Sequence, residues 1–128
     1  MPTSELMHSE GIIRRLKKGS PIVLQKETIR LPRFTEIREI HPKEVGGSGK
    51  DFLVLARSRT ATWALFPCPK KNGFGLTDAK GVMKILDALQ EENPAKPVKG
   101  YVLVEGPVES KAAELLEGKG HLASTVAE

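Results

Sequence analysis

The sequence predicts a single α/β domain, and three features carry that expectation: a long punctuated helix, an apolar strand after it, and an earlier pair of apolar runs joined by a polar turn. Residues 76–92 have Thr77 and Asp78 as N-cap candidates, with apolar Val82, Ile85, Leu86 and Leu89 at helical spacing and Asn93-Pro94 as the stop. Lys99-Gly100-Tyr101-Val102-Leu103-Val104 then reads as a buried strand, and Gly106-Pro107 turns into a second short helix ended by Gly118. Upstream, Phe52-Leu53-Val54-Leu55-Ala56, the turn Arg57-Ser58-Arg59 and residues 60–66 read as a β-hairpin. Pro67-Cys68-Pro69 ends its second arm, because proline has no N–H to give a sheet.

The remaining segments are placed in chain order. Thr3 or Ser4 caps a first helix that runs through Lys18, with Leu6, Ile12, Ile13 and Leu16 inward and Gly19 as its stop. Gly11 inside it costs about 1 kcal/mol relative to alanine. Ser20-Pro21 opens a strand at Ile22-Val23-Leu24, with a continuation through Thr28-Ile29-Arg30-Leu31 before Pro32 breaks it. Residues 34–40 stay open: Phe34, Ile37 and Ile40 at intervals of three suit a helical turn, while the β-branched content suits a strand. His41-Pro42 ends that stretch, and Gly46-Gly47-Ser48-Gly49 reads as a flexible loop.

The architecture expected is a mixed sheet of about four strands in α-β-β-β-α-β-α order, with helices packed on it, an antiparallel hairpin, and the 99–104 strand brought parallel to its neighbour by a right-handed crossover. The domain spans 1–122, and the small, polar residues 123–128 read as a frayed tail.

Composition narrows the function classes. A chain of 128 residues with 39% hydrophobic content fits one core. Aromatic residues make up 5%, which argues against a stacking reader of single-stranded nucleic acid. Cys68 is the single cysteine, so an internal disulfide and a cysteine-based zinc site are excluded. His8, His41 and His121 are scattered, with no pair spaced for one helix face. Glu5, His8 and Glu10 precede any apolar run, unlike a signal peptide, and no apolar stretch nears the ~20 residues of a membrane span. A soluble cytoplasmic protein with no cofactor, no metal and no membrane partner is expected.

The net charge of +4 is unevenly spread. Residues 1–75 carry 14 Lys and Arg against 7 Asp and Glu, a net of +7, whereas residues 76–128 carry 6 against 9, a net of −3. All the arginines (Arg14, Arg15, Arg30, Arg33, Arg38, Arg57, Arg59) precede residue 60. Their planar forks suit phosphate, so the basic half reads as a polyanion-facing side or as an ordinary solvated surface.

Each local motif has a functional and a structural reading. The 46–51 loop contains Gly49-Lys50 but fails as a phosphate loop, with Glu44 where a glycine is needed and Asp51 after the lysine. Lys70-Lys71-Asn72-Gly73-Phe74-Gly75 lies between a strand end and a helix start, where backbone amides favour anions; it reads as a phosphate-binding corner or as a solvated connection with Phe74 in the core. Cys68 between two prolines has no positioned histidine and reads as an inert thiol. Trp63 reads as core, and the helix with Ala112, Ala113, Leu115 and Leu116 opposite Glu109, Lys111 and Glu114 reads as scaffold.

A helix ahead of a β-meander, Asp51 at the head of one strand, and Lys70-Lys71 near the end of the next form a further pattern, closed by the 99–104 strand with Gly106, Ser110, Ala113 and Leu116 after it. On these features the chain resembles the restriction-endonuclease-like (PD-(D/E)XK) superfamily, its Mrr-like branch in particular, over residues 3–121. The resemblance implies Asp51 as the first metal-holding acid and Lys70 as the catalytic lysine. The second acid then falls on Cys68, or on Pro69 if Lys71 is the lysine. Mg²⁺ wants oxygen ligands, so the resemblance implies a degenerate domain that keeps a basic cleft and binds without cutting. An active metal nuclease requires another carboxylate, with Glu36 or Glu39 as candidates.

The function expected is nucleic-acid binding through phosphate contacts, with DNA favoured over RNA. Its footprint is Arg14, Arg15, Lys17, Lys18, Arg57, Arg59, Lys70, Lys71, Asn72 and Gly73. The alternative is a non-catalytic protein–protein interaction module or accessory subunit, with a protein partner or a homodimer.

Overall fold

A computed structural model describes residues 5–45 and 52–127. The chain is a mixed α/β domain built on a five-stranded sheet in the order β3-β4-β5-β6-β7, beside a two-stranded ribbon β1-β2. The strands are β1 (Ile22–Val23), β2 (Thr28–Ile29), β3 (Glu36–Ile40), β4 (Leu53–Arg57), β5 (Thr62–Cys68), β6 (Val98–Val104) and β7 (Leu122–Thr125); the helices are α1 (Ser9–Lys18), α2 (Leu76–Glu92) and α3 (Ser110–Glu117). The open stretch 34–40 resolves as a strand because β3 pairs antiparallel with β4 along its whole length, from Glu36 opposite Arg57 to Ile40 opposite Leu53. Pairing with a formed hairpin outweighs the helical spacing of its apolar residues. The hairpin itself and the parallel β5–β6 pair stand as expected.

Strand alternation divides the interior into two cores. On one face Leu53, Leu55, Ala64, Phe66, Val102 and Val104 pack against α2 and α3. On the other, Val54, Ala56, Trp63, Leu65 and Leu103 pack against α1 and the β1-β2 ribbon. Trp63 is core, as expected, with Phe34 edge-on at 5.4 Å and Tyr101 tilted at 4.7 Å.

Three expectations are corrected. The first helix starts at Ser9, after a 3₁₀ turn at Glu5–Met7; Thr3 and Ser4, the expected caps, lie outside the described residues. The second hairpin arm does not stop before Pro67: β5 continues to Cys68. The N–H of Ser58 donates to Ala61 O and that of Thr62 to Pro97 O, so odd residues of β5 address β4 and even ones β6. The missing N–H of Pro67 therefore faces the β4 side, beyond the last β4–β5 partner pair at Val54 and Leu65, and the ladder keeps all its bonds. Third, the stretch expected to fray from residue 123 forms β7, a fifth strand of the main sheet, parallel to β6. Its outer side is held by Gln25 N–H to Thr125 O and Ala127 N–H to Val23 O, and the hydroxyl of Thr125 donates to Gly106 O. Small side chains here reflect the close cover of α3 and the ribbon, with Ala123 buried. The 46–51 loop, with Asp51, lies outside the described residues. Among the described residues no helix is long and apolar enough to cross a membrane.

One glycine has a role opposite to its expected one. A Cβ on Gly11 would collide with the carbonyl oxygen of Glu5, so α1 and the 3₁₀ turn touch through bare backbone. Gly11→Ala should therefore destabilise the fold by about 1–3 kcal/mol, the usual range for overpacking, despite alanine's better helix propensity. Gly81→Ala in α2, where nothing lies within 4 Å of the added carbon, should stabilise by about 0.5–1 kcal/mol. Urea midpoints of the two variants test the pair; equal shifts would show that Gly11 is not a contact glycine.

His121 supplies a pH dependence. Its Nδ1 accepts the Gly100 N–H at 2.9 Å, and a fixed backbone donor leaves no room for a proton there. Burial lowers its pKa from the ordinary 6.5, against an opposing pull from Asp87. The unfolded chain thus takes up the proton more readily, and the stabilisation is complete above 6.5 and lost as pH falls through the folded value. Thermal midpoints should fall between about pH 7 and pH 5, and His121→Asn should flatten that part of the profile.

Candidate functional site

A cleft of about 380 Å³ opens where the start of α1 meets the ends of β3, β4 and β5. The first turn of α1 brings His8, Ser9 and Glu10; β3 brings Glu39, whose Oε2 accepts the Ser9 hydroxyl at 2.6 Å. The approach to β4 brings Phe52, 43% exposed and edge-on to His41 at 5.1 Å. The end of β5 brings Pro67 and Pro69.

Alternation along β5 decides which residues reach this cleft. Trp63 and Leu65 lie on the α1 face, so Pro67 does too, and Pro69 continues in the same direction. Cys68 packs with the α2–α3 core on the other face. Cys68 and Lys70, where the resemblance implies a second acid and a lysine, thus both lie on the α2 side, away from the cleft. Lys70 reaches α2 instead, donating from Nζ to Asp78 Oδ1 at 2.6 Å. Asp51, the other catalytic candidate, lies outside the described residues.

The two spare carboxylates are separated by the same alternation. Glu39 stands opposite Val54 on the α1 face and lines the cleft. Glu36 stands opposite Arg57 at the far end of β3, with its Oε2 3.4 Å from Arg57 Nε. Among the described residues, no group of three or more His, Cys, Asp and Glu could hold a metal ion. The end of β5 turns Pro67 and Pro69 to the cleft, and proline supplies no oxygen ligand from its side chain, so the described residues do not fit the Mg²⁺ that the resemblance implies.

Residues 70–75, expected as a phosphate corner, are engaged internally. Glycine offers no capping side chain, so the start of α2 is closed by Asp78, whose Oδ2 accepts the Gly75 N–H at 3.0 Å. Partial burial pulls the Asp78 pKa up, yet the Lys70 hydrogen bond, the Gly75 N–H and the Lys70 charge together hold it below its ordinary value. The carboxylate of Glu109 also faces Gly75, close to where a Cβ would sit. Phe74 is buried, as its core reading required.

The basic footprint does not gather on one face. Arg15 is held by Glu5 at 2.9 Å and by Pro21 O at 3.0 Å, while Arg14 stands 3.9 Å from Glu5. Arg57 and Arg59 flank the hairpin turn, and Lys17 lies beside Arg33 and Phe34 at that same end. Lys70, Lys71, Asn72 and Gly73 follow the other end of β5, roughly 20 Å away for six strand steps. His8, Ser9 and Glu10 escape a reading of the sequence that starts the helix at Thr3 or Ser4. Ser9 is itself an N-cap residue type, and starting the helix there places all three beside the strand ends.

No family model and no curated protein matches the chain. Among solved structures it is similar to a chain described as the structure of the EndoMS–dsDNA2 complex: 16% identity, TM-score 0.53, covering 98% of this chain and 47% of that one. The two chains share a fold. At that identity the likeness shows the fold alone; it does not single out the Mrr-like branch, and this chain spans about half the length of its neighbour.

Asp78→Ala should lower stability by about 0.5–2 kcal/mol, the usual loss for a helix-start cap. It also removes the carboxylate that takes the Gly75 N–H and the Lys70 ammonium, so affinity for inorganic phosphate or a duplex should rise. A binding titration against the parent chain reads this, and unchanged affinity would show that the corner takes no anion even when open.

Proposed function

We propose that this chain is a nuclease-like domain that binds duplex DNA through phosphate contacts at the cleft end of its sheet and does not cut it. The end of β5 carries the reading: the two positions that face the cleft, Pro67 and Pro69, are prolines. A proline there offers neither a metal ligand nor an ammonium group. The exposed Lys71, with Asn72 and the Gly73 backbone, supplies the nearest phosphate contacts, and Lys70 joins them when its hold on Asp78 relaxes. The neighbour solved with double-stranded DNA supports duplex over single strand, as does the scarcity of exposed rings. Lys17, Lys18, Arg57 and Arg59 extend the footprint only if the duplex also reaches the hairpin end.

Glu10 and Glu39 in the cleft favour a second reading, a metal-dependent nuclease that draws its carboxylates from α1 and β3, with Asp51 as a third.

Fluorescence anisotropy with labelled duplex DNA, single-stranded DNA and hairpin RNA at about 50 and 200 mM salt tests the first reading. Duplex binding should weaken steeply with salt. Lys70→Ala/Lys71→Ala should weaken it alike for all sequences and reduce the salt slope by about two, roughly one for each lysine removed from a phosphate. Arg57→Ala/Arg59→Ala tests the hairpin end separately. Absence of binding at low salt would discard the proposal, and Mg²⁺-dependent cleavage abolished by Asp51→Ala or Glu39→Ala would replace it with the second reading.

A further inference from the structure

Away from the cleft, at the hairpin end, a groove of about 460 Å³ runs between the last turn of α1 and residues 31–37. Leu16, Leu31, Phe34 and Ile37 form its apolar walls, and exposed Lys17 and Arg33 stand on its rim. Leu31, Phe34 and Ile37 pack on the α1-side core yet remain half-exposed, so the groove is apolar surface held in place from beneath. Phe34 is fixed by its edge contact with Trp63, which makes that wall rigid before any partner arrives.

The charges around it set the chemistry of the occupant. Arg15, Arg57 and Lys70 each face a carboxylate, whereas Lys17 and Arg33 have no acidic partner among the described residues. Lys18, next to Lys17, and Arg30, next to Leu31, are also exposed. Aliphatic walls offer anchorage to a branched or aromatic side chain, and the cationic rim offers complementarity to acids beside that anchor.

We propose that this groove docks an acidic segment of a partner protein, in which one or two large apolar side chains are flanked by Asp or Glu. A nucleic-acid strand suits the walls less well: successive bases need several rings to stack on, and here Phe34 is the one ring among aliphatic walls. A second copy of this chain suits them less well too. The exposed large hydrophobic residues among those described are Val23 and Phe52; Val23 has no acid within three positions of sequence, and Phe52, which follows Asp51, is already engaged by the His41 ring in the cleft. The groove shares no residue with the cleft, and Lys17 is common to both proposals only where the duplex reaches the hairpin end.

Selection from a displayed library of random twelve-residue peptides against the whole chain tests it. Enrichment of Asp and Glu around Leu, Ile or Phe is expected, and the synthesised consensus peptide should bind at least tenfold more weakly to Lys17→Glu/Arg33→Glu. Both substitutions lie on exposed side chains, and a thermal melt checks that the variant is folded. Replacing the anchor of the peptide by serine should cost at least as much. No enrichment, or a consensus whose affinity ignores the Lys17→Glu/Arg33→Glu change, would overturn the proposal. So would a single-stranded oligonucleotide that displaces the peptide with higher affinity, or self-association in sedimentation that is abolished in the same variant.

Discussion

Everything in this molecule hangs on the double pairing of β5. That strand is antiparallel to β4 on one side and parallel to β6 on the other, so it joins the hairpin half of the sheet to the crossover half. Its side chains also assign material to the two cores, Ala64 and Phe66 to the α2–α3 side and Trp63 and Leu65 to the α1 side. A shift of one residue in its register would exchange both sets. The cleft inherits that register, since which residues of the strand's end face it follows from the same alternation. The hairpin end inherits it as well, because Trp63 fixes Phe34 and thereby one wall of the groove.

How much of this is legible in the sequence depends on the range of the interaction that decides each element. The helix at 76–92, the 99–104 strand and the hairpin are written in local periodicity and turn residues, and they stand where the sequence places them. Residues 34–40 are ambiguous in isolation because the local pattern allows a helix turn; pairing with residues 53–57 settles them. β7 is hidden from a local reading because Leu122-Ala123-Ser124-Thr125 has little apolar bulk. It becomes a strand through partners from β6, from residues 23–25 and from Gly106. Gly11 misleads for the same reason: its cost in propensity is local, whereas its benefit is close approach to the Glu5 carbonyl.

The candidate site shows where a linear reading of charge stops. Basic residues counted along the chain suggest one footprint, but a strand separates its members by its own length, placing Arg57 and Arg59 at one end of β5 and Lys70 and Lys71 at the other. Pairing removes more of the charge from free use: Lys70 closes a helix start with Asp78, and Arg15 braces Glu5. What remains uncommitted at the hairpin end surrounds an apolar groove, and what remains at the cleft end is chiefly Lys71. A net charge concentrated in sequence thus becomes two separate surfaces of different character.

The prolines at the end of β5 tie the fold to the chemistry. Pro67 is tolerated because the strand has outrun its β4 partner, so the position that faces the cleft is also one where no N–H is required. A carboxylate placed at Cys68 would therefore accomplish nothing at the cleft, since it would point into the α2–α3 core, where an unpaired charge is costly. Recovering a ligand and a lysine on the cleft face would require replacing both Pro67 and Pro69. Each replacement would also release a backbone angle that proline now holds fixed, and would expose a new N–H at a strand end without a partner. The lack of a carboxylate and a lysine on the cleft face of this strand end is thus built into its backbone as well as its side chains.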